Sequence, residues 1–269
     1  MIDDLVLGAQ HGTLWTRDSA TQITVGARQT SHPGVIPLRG ADGTLVPLEI
    51  TPSGLSGTMA AWGSAGALLD GDAETTIGYD VFVVAKALGV DARIAFLPRG
   101  DGLTFANLAT WAGSAYTLKS PVVSFANNSA GDIAPYWQAD GEGWYLDDFT
   151  SHGVGAGITA QGSDTPIALD WTDEAPSENT GVLVAMHAEN TTSSARNLYI
   201  YRETGATNTL WQWNDLATTA GRTRSLDRDL WLAEHNGPGG SAHVRWSGSV
   251  GGSAGASFYC RGWRLGGRQ

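Results

Sequence analysis

Alternating apolar and polar positions predict three antiparallel hairpins in the first half of the chain. The first covers Val35–Ile50, where Pro37 and Pro47 indicate edge strands or bulges because proline lacks an amide N–H. The second joins Tyr79–Leu88 to Ala92–Pro98 through a tight turn, and the third covers Ala134–Asp148 with the turn sequence ADGEG. Short strands separated by turns in this way are typical of an all-β protein.

Helical periodicity is nearly absent from the sequence. An amphipathic helix needs apolar residues at i, i+3, i+4 and i+7 over roughly 11 or more positions. The best window, Leu55–Leu69, contains Gly57, Gly63 and Gly66, and each glycine costs about 1 kcal/mol in a helix interior. We therefore expect a loop or a frayed turn at Leu55–Leu69.

The second half of the chain begins after a glycine-rich stretch that is poor in large apolar residues. We interpret residues 151–165 as a linker between an N-terminal domain (1–150) and a C-terminal domain (166–269). Seven strands are predicted beyond it, at 167–171, 181–190, 195–203, 209–215, 224–235, 242–249 and 256–265. Short polar turns between them indicate an antiparallel, jelly-roll-like β-sandwich, so the predicted fold class is all-β.

The charge of the chain argues against a nucleic-acid partner. The sequence has 16 Lys and Arg against 27 Asp and Glu, which gives a formal net charge of −11. Nucleic-acid binding depends on cationic contacts to phosphates, and the densest cationic run, at Arg222, Arg224 and Arg228, alternates with Asp227 and Asp229. We expect no binding to nucleic acid.

The cellular compartment is predicted from three further features. No apolar run reaches the roughly 18 to 20 residues of a membrane span, so we expect a soluble chain without membrane insertion. The start, MIDDLVLGAQHG, does not resemble a secretory signal. Cys260 is the only cysteine, which excludes an internal disulfide and any site with several cysteine ligands.

No established catalytic motif is present, and we expect neither a cofactor nor a metal. Two acidic clusters, Asp70-Gly-Asp72-Ala-Glu74 and Glu142 with Asp147 and Asp148, are open to other interpretations. They could bind Ca²⁺, although the twelve-residue calcium loop is not reproduced. They could also supply the acid and base of a glycosidase, but aspartates that cap turns are commoner than either kind of site.

Aromatic residues are the candidates for ligand binding. Alternation places Trp211 and Trp213 on one face of a strand, and Tyr199 and Tyr201 together on a neighbouring strand. Sugar C–H faces pack against aromatic rings, so these four residues form a candidate carbohydrate-binding site. The alternative is that Trp211 and Trp213 fill the core between the two sheets.

Several strand phrases resemble a known family. GVLVAMHAENTTSSARNLYIYRE (181–203), AHVRWSGSV and ASFYCRGWRL are similar to a β-sandwich module of tailed-bacteriophage fibre and spike proteins. YDVFVVAK, the stretch from Trp111 to Pro121 and NNSAGDIAPYW resemble a repeated block in phage tail and neck appendages, including those of gene transfer agents. The resemblance covers residues 70 to 265 in patches, and no catalytic residue carries over from it.

The resemblance implies a virion appendage that is assembled in the bacterial cytoplasm and is not an enzyme. Its N-terminal part, starting with the strands DLVLG and TLWTRD, would attach to other virion structural proteins and form a homo-oligomer, most commonly a trimer. The C-terminal sandwich would bind a host-surface polysaccharide. Two alternatives remain: a depolymerase that uses Glu142, Asp147 or Asp148, and a free, monomeric carbohydrate-binding module.

Overall fold

The structure is a computed structural model of the whole chain. It describes residues 11–63, 66–69, 78–99, 101–129, 132–159, 167–190, 197–201, 209–213, 224–233, 241–247 and 254–265. Over these residues the chain forms 22 β-strands and one α-helix, so the prediction of an all-β fold is confirmed. The chain divides into two compact units: residues 1–147, 175–180 and 263–269 form the first, and residues 148–174 and 181–262 form the second.

The first unit contains one long mixed sheet, a small ribbon and the helix α1 (Phe105–Trp111). Its strands are β1 (Thr13–Ser19), β2 (Gln22–Ala27), β3 (Gly34–Gly40), β4 (Leu45–Ile50), β5 (Leu55–Ala61), β6 (Gly66–Leu68), β7 (Tyr79–Lys86), β8 (Arg93–Pro98), β9 (Tyr116–Lys119), β10 (Ser124–Ala126), β11 (Asn128–Ser129), β12 (Asp132–Ile133), β13 (Tyr136–Ala139) and β14 (Glu142–Tyr145). The sheet has the order β14-β13-β1-β2-β5-β6-β8-β7-β9-β3-β4, with β10 also on β7, and β11 pairs with β12. Only the pairs that β6 makes with β5 and β8 are parallel among the pairings described.

All three predicted hairpins of this unit are present. They are β3–β4, β7–β8 and β13–β14, and each is antiparallel. In the third, Asp140 and Gly141 have φ of +49° and +83°, the left-handed conformation that a two-residue hairpin turn requires. Pro37 and Pro47 lie directly opposite each other, and β4 is at one end of the strand order, which agrees with the predicted edge.

The prediction of a loop or frayed turn at Leu55–Leu69 was wrong, because β5 and β6 lie there. Gly57 has no side chain where Ile94 approaches, and Gly66 lies against the carbonyl oxygens of Ala60 and Ala61. These glycines therefore permit close contact between neighbouring strands, a role that helix propensity does not reveal.

Strand β7 is at the centre of the main core of the first unit. Both of its faces are buried, which explains its nearly continuous apolar sequence. One face packs in a cluster with α1, whose Leu108 is fully buried, and on the other face Tyr79 contacts the edge of Phe96 at 6.2 Å. Helix α1 was not predicted, because its seven residues are fewer than the pattern test requires.

The segment 175–180 is tied to this core by a buried carboxylate. Asp80 of β7 is 3% exposed and accepts hydrogen bonds from the amide and the hydroxyl of Ser177. Burial raises the pKa of Asp80 above its ordinary value. The chain therefore returns to the first unit after residue 174 through a polar contact.

In the part of the second unit that the structure describes there are eight strands. They are β15 (Gly153–Thr159), β16 (Ile167–Asp170), β17 (Asn179–Asn190), β18 (Asn197–Tyr201), β19 (Thr209–Trp213), β20 (Arg224–Ala233), β21 (Ser241–Ser247) and β22 (Ala254–Leu265). The last seven correspond to the seven predicted strands. The ends of β17 and β22 belong to the first unit.

The connectivity of these eight strands is that of a jelly roll. The first pairs with the last (β15–β22), the second with the seventh (β16–β21), the third with the sixth (β17–β20) and the fourth with the fifth (β18–β19), all antiparallel. The chain is thus one long ribbon of four strand pairs. The ribbon is divided into the sheet orders β15-β22-β17-β20 and β16-β21-β18-β19, as in double-sheet jelly rolls.

Part of the predicted linker 151–165 is the first strand of this ribbon. Residues 153–159 form β15, and residues 160–165 lie outside the described residues. The sequence GVGAG was interpreted as a linker because it lacks large side chains. A β-ladder needs only backbone N–H and C=O groups, so β15 pairs with β22 in spite of its glycines, with two irregularities of register.

Candidate functional site

The register of β18 and β19 separates the aromatic residues predicted to bind carbohydrate. Trp211 lies opposite Ile200, which is fully buried, whereas Tyr199 lies opposite Gln212. Directly opposite residues share one face of an antiparallel pair, so the position of Trp211 is on the face of Ile200 and that of Tyr199 is on the other. The side chains of Trp211, Trp213 and Tyr201 lie outside the described residues, and their binding role stays a prediction.

Two of the carboxylates considered as an acid and base, Glu142 and Asp148, are engaged in hydrogen bonds. Glu142 accepts a hydrogen bond from Arg264 Nε at 3.0 Å. Asp148 accepts one from the amide N–H of Thr150 at 3.0 Å, and this bond lowers the pKa of Asp148. The contact of Asp148 matches the alternative that an aspartate caps a turn. The other acidic cluster, at Asp70, Asp72 and Glu74, lies outside the described residues.

A histidine, a glutamate and the cysteine meet in the interior of the second unit. His152 Nδ1 lies 2.8 Å from Glu174 Oε2, and the Cys260 thiol donates to the carbonyl oxygen of Glu174 at 3.4 Å. Burial raises the pKa of Cys260, so the thiol stays protonated at neutral pH. A nucleophilic cysteine requires a thiolate, and the burial of Cys260 disfavours that form.

The clearest candidate for a binding surface is the outward face of the β13–β14 hairpin and its neighbours. Trp144 lies directly opposite Trp137, which lies opposite Thr16 of β1. Thr16 lies opposite Thr24 of β2, and Thr24 lies opposite Ser56 of β5. We call these five residues the outer row. Because opposite residues share a face, the outer row runs across five adjacent strands on one face of the sheet.

Alternation along the strands explains why the outer row is accessible. Trp15, Val25 and Gln138, the sequence neighbours of outer-row residues, are all fully buried. The intervening positions must then face away from that core. Trp137 is 36% exposed, Ser56 is exposed, and Thr16, Thr24 and Trp144 are half-buried.

The two tryptophans of the outer row form a stacked pair. Their ring centroids are 6.4 Å apart and their planes are inclined by only 22°. This separation is well beyond the contact distance of about 3.5–4.0 Å between carbon atoms, so the rings are slipped past each other. Each indole therefore keeps ring surface that the other does not cover.

Hydrogen-bonding groups occupy the other end of the outer row. Thr24 Oγ1 lies 2.7 Å from Ser56 Oγ and also donates to the carboxylate of Asp18. Gln22 Nε2 donates to the same carboxylate at 3.3 Å. The surface thus passes from aromatic rings to hydroxyl, amide and carboxylate groups within five adjacent strands.

The sequence contained a signal for this pair. Trp137 and Trp144 are equally distant from the Asp140-Gly141 turn, so the predicted hairpin already placed them opposite each other. The predicted site used Trp211 and Trp213, which are two residues apart on a single strand. It therefore missed a tryptophan pair that is formed across two strands.

A second surface of the first unit is apolar. A cavity of about 430 Å³ is lined by side chains that include Val46, Phe105 and Tyr116. Leu88 and Val90, in the turn between β7 and β8, are 85% and 61% exposed, and Leu88 also lines the cavity. Leu88 has φ of +61°, a left-handed conformation that costs roughly 1–2 kcal/mol for a residue with a β-carbon.

Among the described residues no helix is long and apolar enough to span a bilayer. Within the same ranges, no group of three or more His, Cys, Asp or Glu side chains is arranged to hold a metal ion.

Comparison with known proteins finds only distant structural neighbours. No known family matches the sequence, and no curated protein does. Among solved structures, the chain is similar to that of the infectious bursal disease virus Gx strain (TM-score 0.29, 11% identity, covering 100% of this chain and 76% of that chain). It is also similar to the VP2 subviral particle of infectious bursal disease virus (TM-score 0.27, 12% identity, covering 99% and 75%). These TM-scores are too low to establish a shared fold, and the jelly roll is assigned from strand connectivity alone.

Proposed function

We propose that the protein is a structural component of a virus particle, an appendage that attaches to host-surface polysaccharide. The observation that carries this proposal is the eight-stranded jelly-roll ribbon of the second unit, an architecture used by viral coat proteins and by lectins. A fold alone does not determine function, and the resemblance of the sequence to phage fibre and spike proteins supports the virion assignment independently.

Association with particles tests the virion role directly. Antibodies raised against the purified chain should label particles banded on a density gradient from lysates of the source organism. Immunogold electron microscopy should place the label on an appendage. Particles that are complete without the protein, and lysates in which it stays unassembled, would contradict the virion role.

The appendage performs no bond-breaking in this proposal. Cys260 is held as a protonated thiol, Glu142 is bound to Arg264, and Asp148 caps a turn. Incubation of the purified protein with host-surface polysaccharide should release no reducing ends above the rate of a heat-denatured sample. Release that disappears in Glu142→Gln would favour the depolymerase alternative.

Copies of the chain assemble through the apolar surface of the first unit in this proposal. Leu88 is held in a strained conformation while 85% exposed, so its side chain gains no burial within its own chain that would offset the strain. Sedimentation should give three times the 28.2 kDa chain mass. Leu88→Glu should reduce that mass to one chain, whereas Leu146→Glu, at a residue 61% exposed elsewhere in the unit, should not.

A further inference from the structure

We propose that the outer row is the polysaccharide-binding site and that it takes a neutral glycan chain lying across the strands. This inference rests on the proposed attachment to polysaccharide. It assigns the contact to Trp144, Trp137, Thr16, Thr24 and Ser56 of the first unit, whereas the sequence pointed to aromatic residues of the second.

The aromatic end of the outer row has the geometry to stack on sugar rings. Trp137 and Trp144 are slipped past each other at 6.4 Å and both retain exposed surface. The C–H bonds on one face of a pyranose ring pack against an indole, and the displaced water makes the contact favourable. Two slipped indoles on adjacent strands present such surfaces to successive parts of a chain.

The polar end of the outer row supplies the groups that bind sugar hydroxyls. Thr16, Thr24 and Ser56 carry hydroxyls that both donate and accept, and Asp18 and Gln22 add a carboxylate and an amide beside Thr24. Adjacent strands are about 4.8 Å apart, which is close to the length of one sugar unit in an extended glycan. A chain lying across the strands therefore meets a new side chain of the outer row with each unit.

The charge of the surface selects a neutral chain over an acidic one. Asp18 is exposed at the polar end, and the carboxylate of Glu142, two residues from Trp144 along β14, is paired with Arg264. The whole chain has a net charge of −11. A polysaccharide rich in carboxylate or sulfate groups would be repelled, particularly at low ionic strength.

The test is affinity electrophoresis of the full chain in native gels. The gels contain hydroxyethyl cellulose or galactomannan as neutral probes, or alginate as an acidic probe. The wild-type protein should be retarded by at least one neutral probe and not by alginate. Trp137→Ala should raise the dissociation constant at least about tenfold, as expected for loss of a stacking contact.

Two tryptophan variants serve as matched controls. Trp231→Ala removes a tryptophan that is similarly exposed, at 37%, but belongs to the second unit, and it should bind like the wild type. Trp211→Ala tests the site predicted from the sequence. Unchanged thermal unfolding of Trp137→Ala would show that lost binding does not reflect lost folding, and Thr24→Val provides a second variant in the outer row with an expected loss of about threefold.

The outcomes separate this inference from the proposed function. Retardation that survives Trp137→Ala and Thr24→Val but disappears in Trp211→Ala would overturn the outer row as the site, while attachment to polysaccharide would stand. Retardation by alginate alone would overturn the assignment of a neutral ligand. Absence of retardation by every probe would also overturn the inference, whereas the virion role is decided separately by labelling of particles.

Discussion

The two faces of the β13–β14 hairpin use aromatic residues for opposite purposes. On the inner face, Tyr136 and Tyr145 pack against Trp263 with ring centroids 5.8 and 5.2 Å away, and Phe125 contacts the same indole at 5.6 Å. Trp263 is fully buried. On the outer face, the Trp137 and Trp144 rings stack on each other and remain partly exposed.

The inner tryptophan, Trp263, is held by hydrogen bonds and by the space that its neighbours leave for it. Trp263 Nε1 donates to Gln138 Oε1 at 3.0 Å, and Gln138 in turn donates to the carbonyl oxygen of Val123. Gly143 leaves the space that the Trp263 ring occupies. The inner tryptophan is therefore fixed by specific packing and hydrogen bonds, which implies that it contributes mainly to stability, whereas the role proposed for the outer pair is binding.

The largest expected effect is that of Trp263→Ala. Removing a fully buried tryptophan should lower the free energy of unfolding by about 3–5 kcal/mol, since the surrounding rings cannot fill the cavity. Urea denaturation followed by circular dichroism measures this value. A loss below about 1 kcal/mol would show that the inner face is not a stability core.

The next effect is that of Gln138→Leu. The substitution removes the amide that accepts a hydrogen bond from the Trp263 indole and donates one to the Val123 carbonyl. Loss of a hydrogen bond by a buried polar group lowers the free energy of unfolding by about 1–3 kcal/mol. We expect a total loss of about 2–4 kcal/mol in the same denaturation experiment. Gln22→Leu on the outer face should change stability by less than about 0.5 kcal/mol, and equal losses in the two variants would remove the distinction between the faces.

A smaller loss is expected from Gly143→Ala. A β-carbon at this position would overlap the ring of Trp263, and forcing extra volume into a packed core costs about 1–3 kcal/mol. Gly153→Ala is the matched control, because nothing lies within 4 Å of a β-carbon there. If both variants have the same midpoint of denaturation, the close approach of Gly143 to Trp263 is not present in solution.

The smallest effect on stability is that of Trp137→Ala. Loss of the stacked cross-strand pair should cost about 0.5–1.5 kcal/mol, because the ring is partly solvated in the folded chain. Differential scanning calorimetry measures this loss together with that of Trp231→Ala. A loss as large as that of Trp263→Ala would mean that the outer pair is structural, and its proposed binding role would lose its basis.

The sequence could predict the local elements of the fold because they depend on local patterns. Asp140-Gly141 between two alternating segments specifies a hairpin, and the strands of the second unit are bounded by polar turns. Glycines conceal the strands β5, β6 and β15 in the sequence. Gly57 of β5 makes room for Ile94, which is distant in sequence, and β15 pairs with the equally distant β22 through its backbone. Helix α1 was missed for a different reason, since seven residues cover only two turns.

The candidate site was harder to predict because it depends on pairing between distant strands. Trp137 and Trp144 are linked by a short turn, but the alignment of Thr16, Thr24 and Ser56 with them follows from three further pairings. No local pattern encodes which strand lies beside β13. For Trp211, the local pattern predicted that the residue lies in a strand. Only the pairing with the buried Ile200 shows on which face of the sheet its position lies.

Pro47 of the β3–β4 hairpin has a consequence for solubility at high concentration. Strand β4 ends the strand order among the described residues, and an uncovered strand edge invites templated growth into fibrils. Pro47 offers no amide hydrogen at the middle of that edge. The hairpin that completes the sheet thus also hinders the addition of a further strand. This protection matters most where many identical copies of a protein are crowded together.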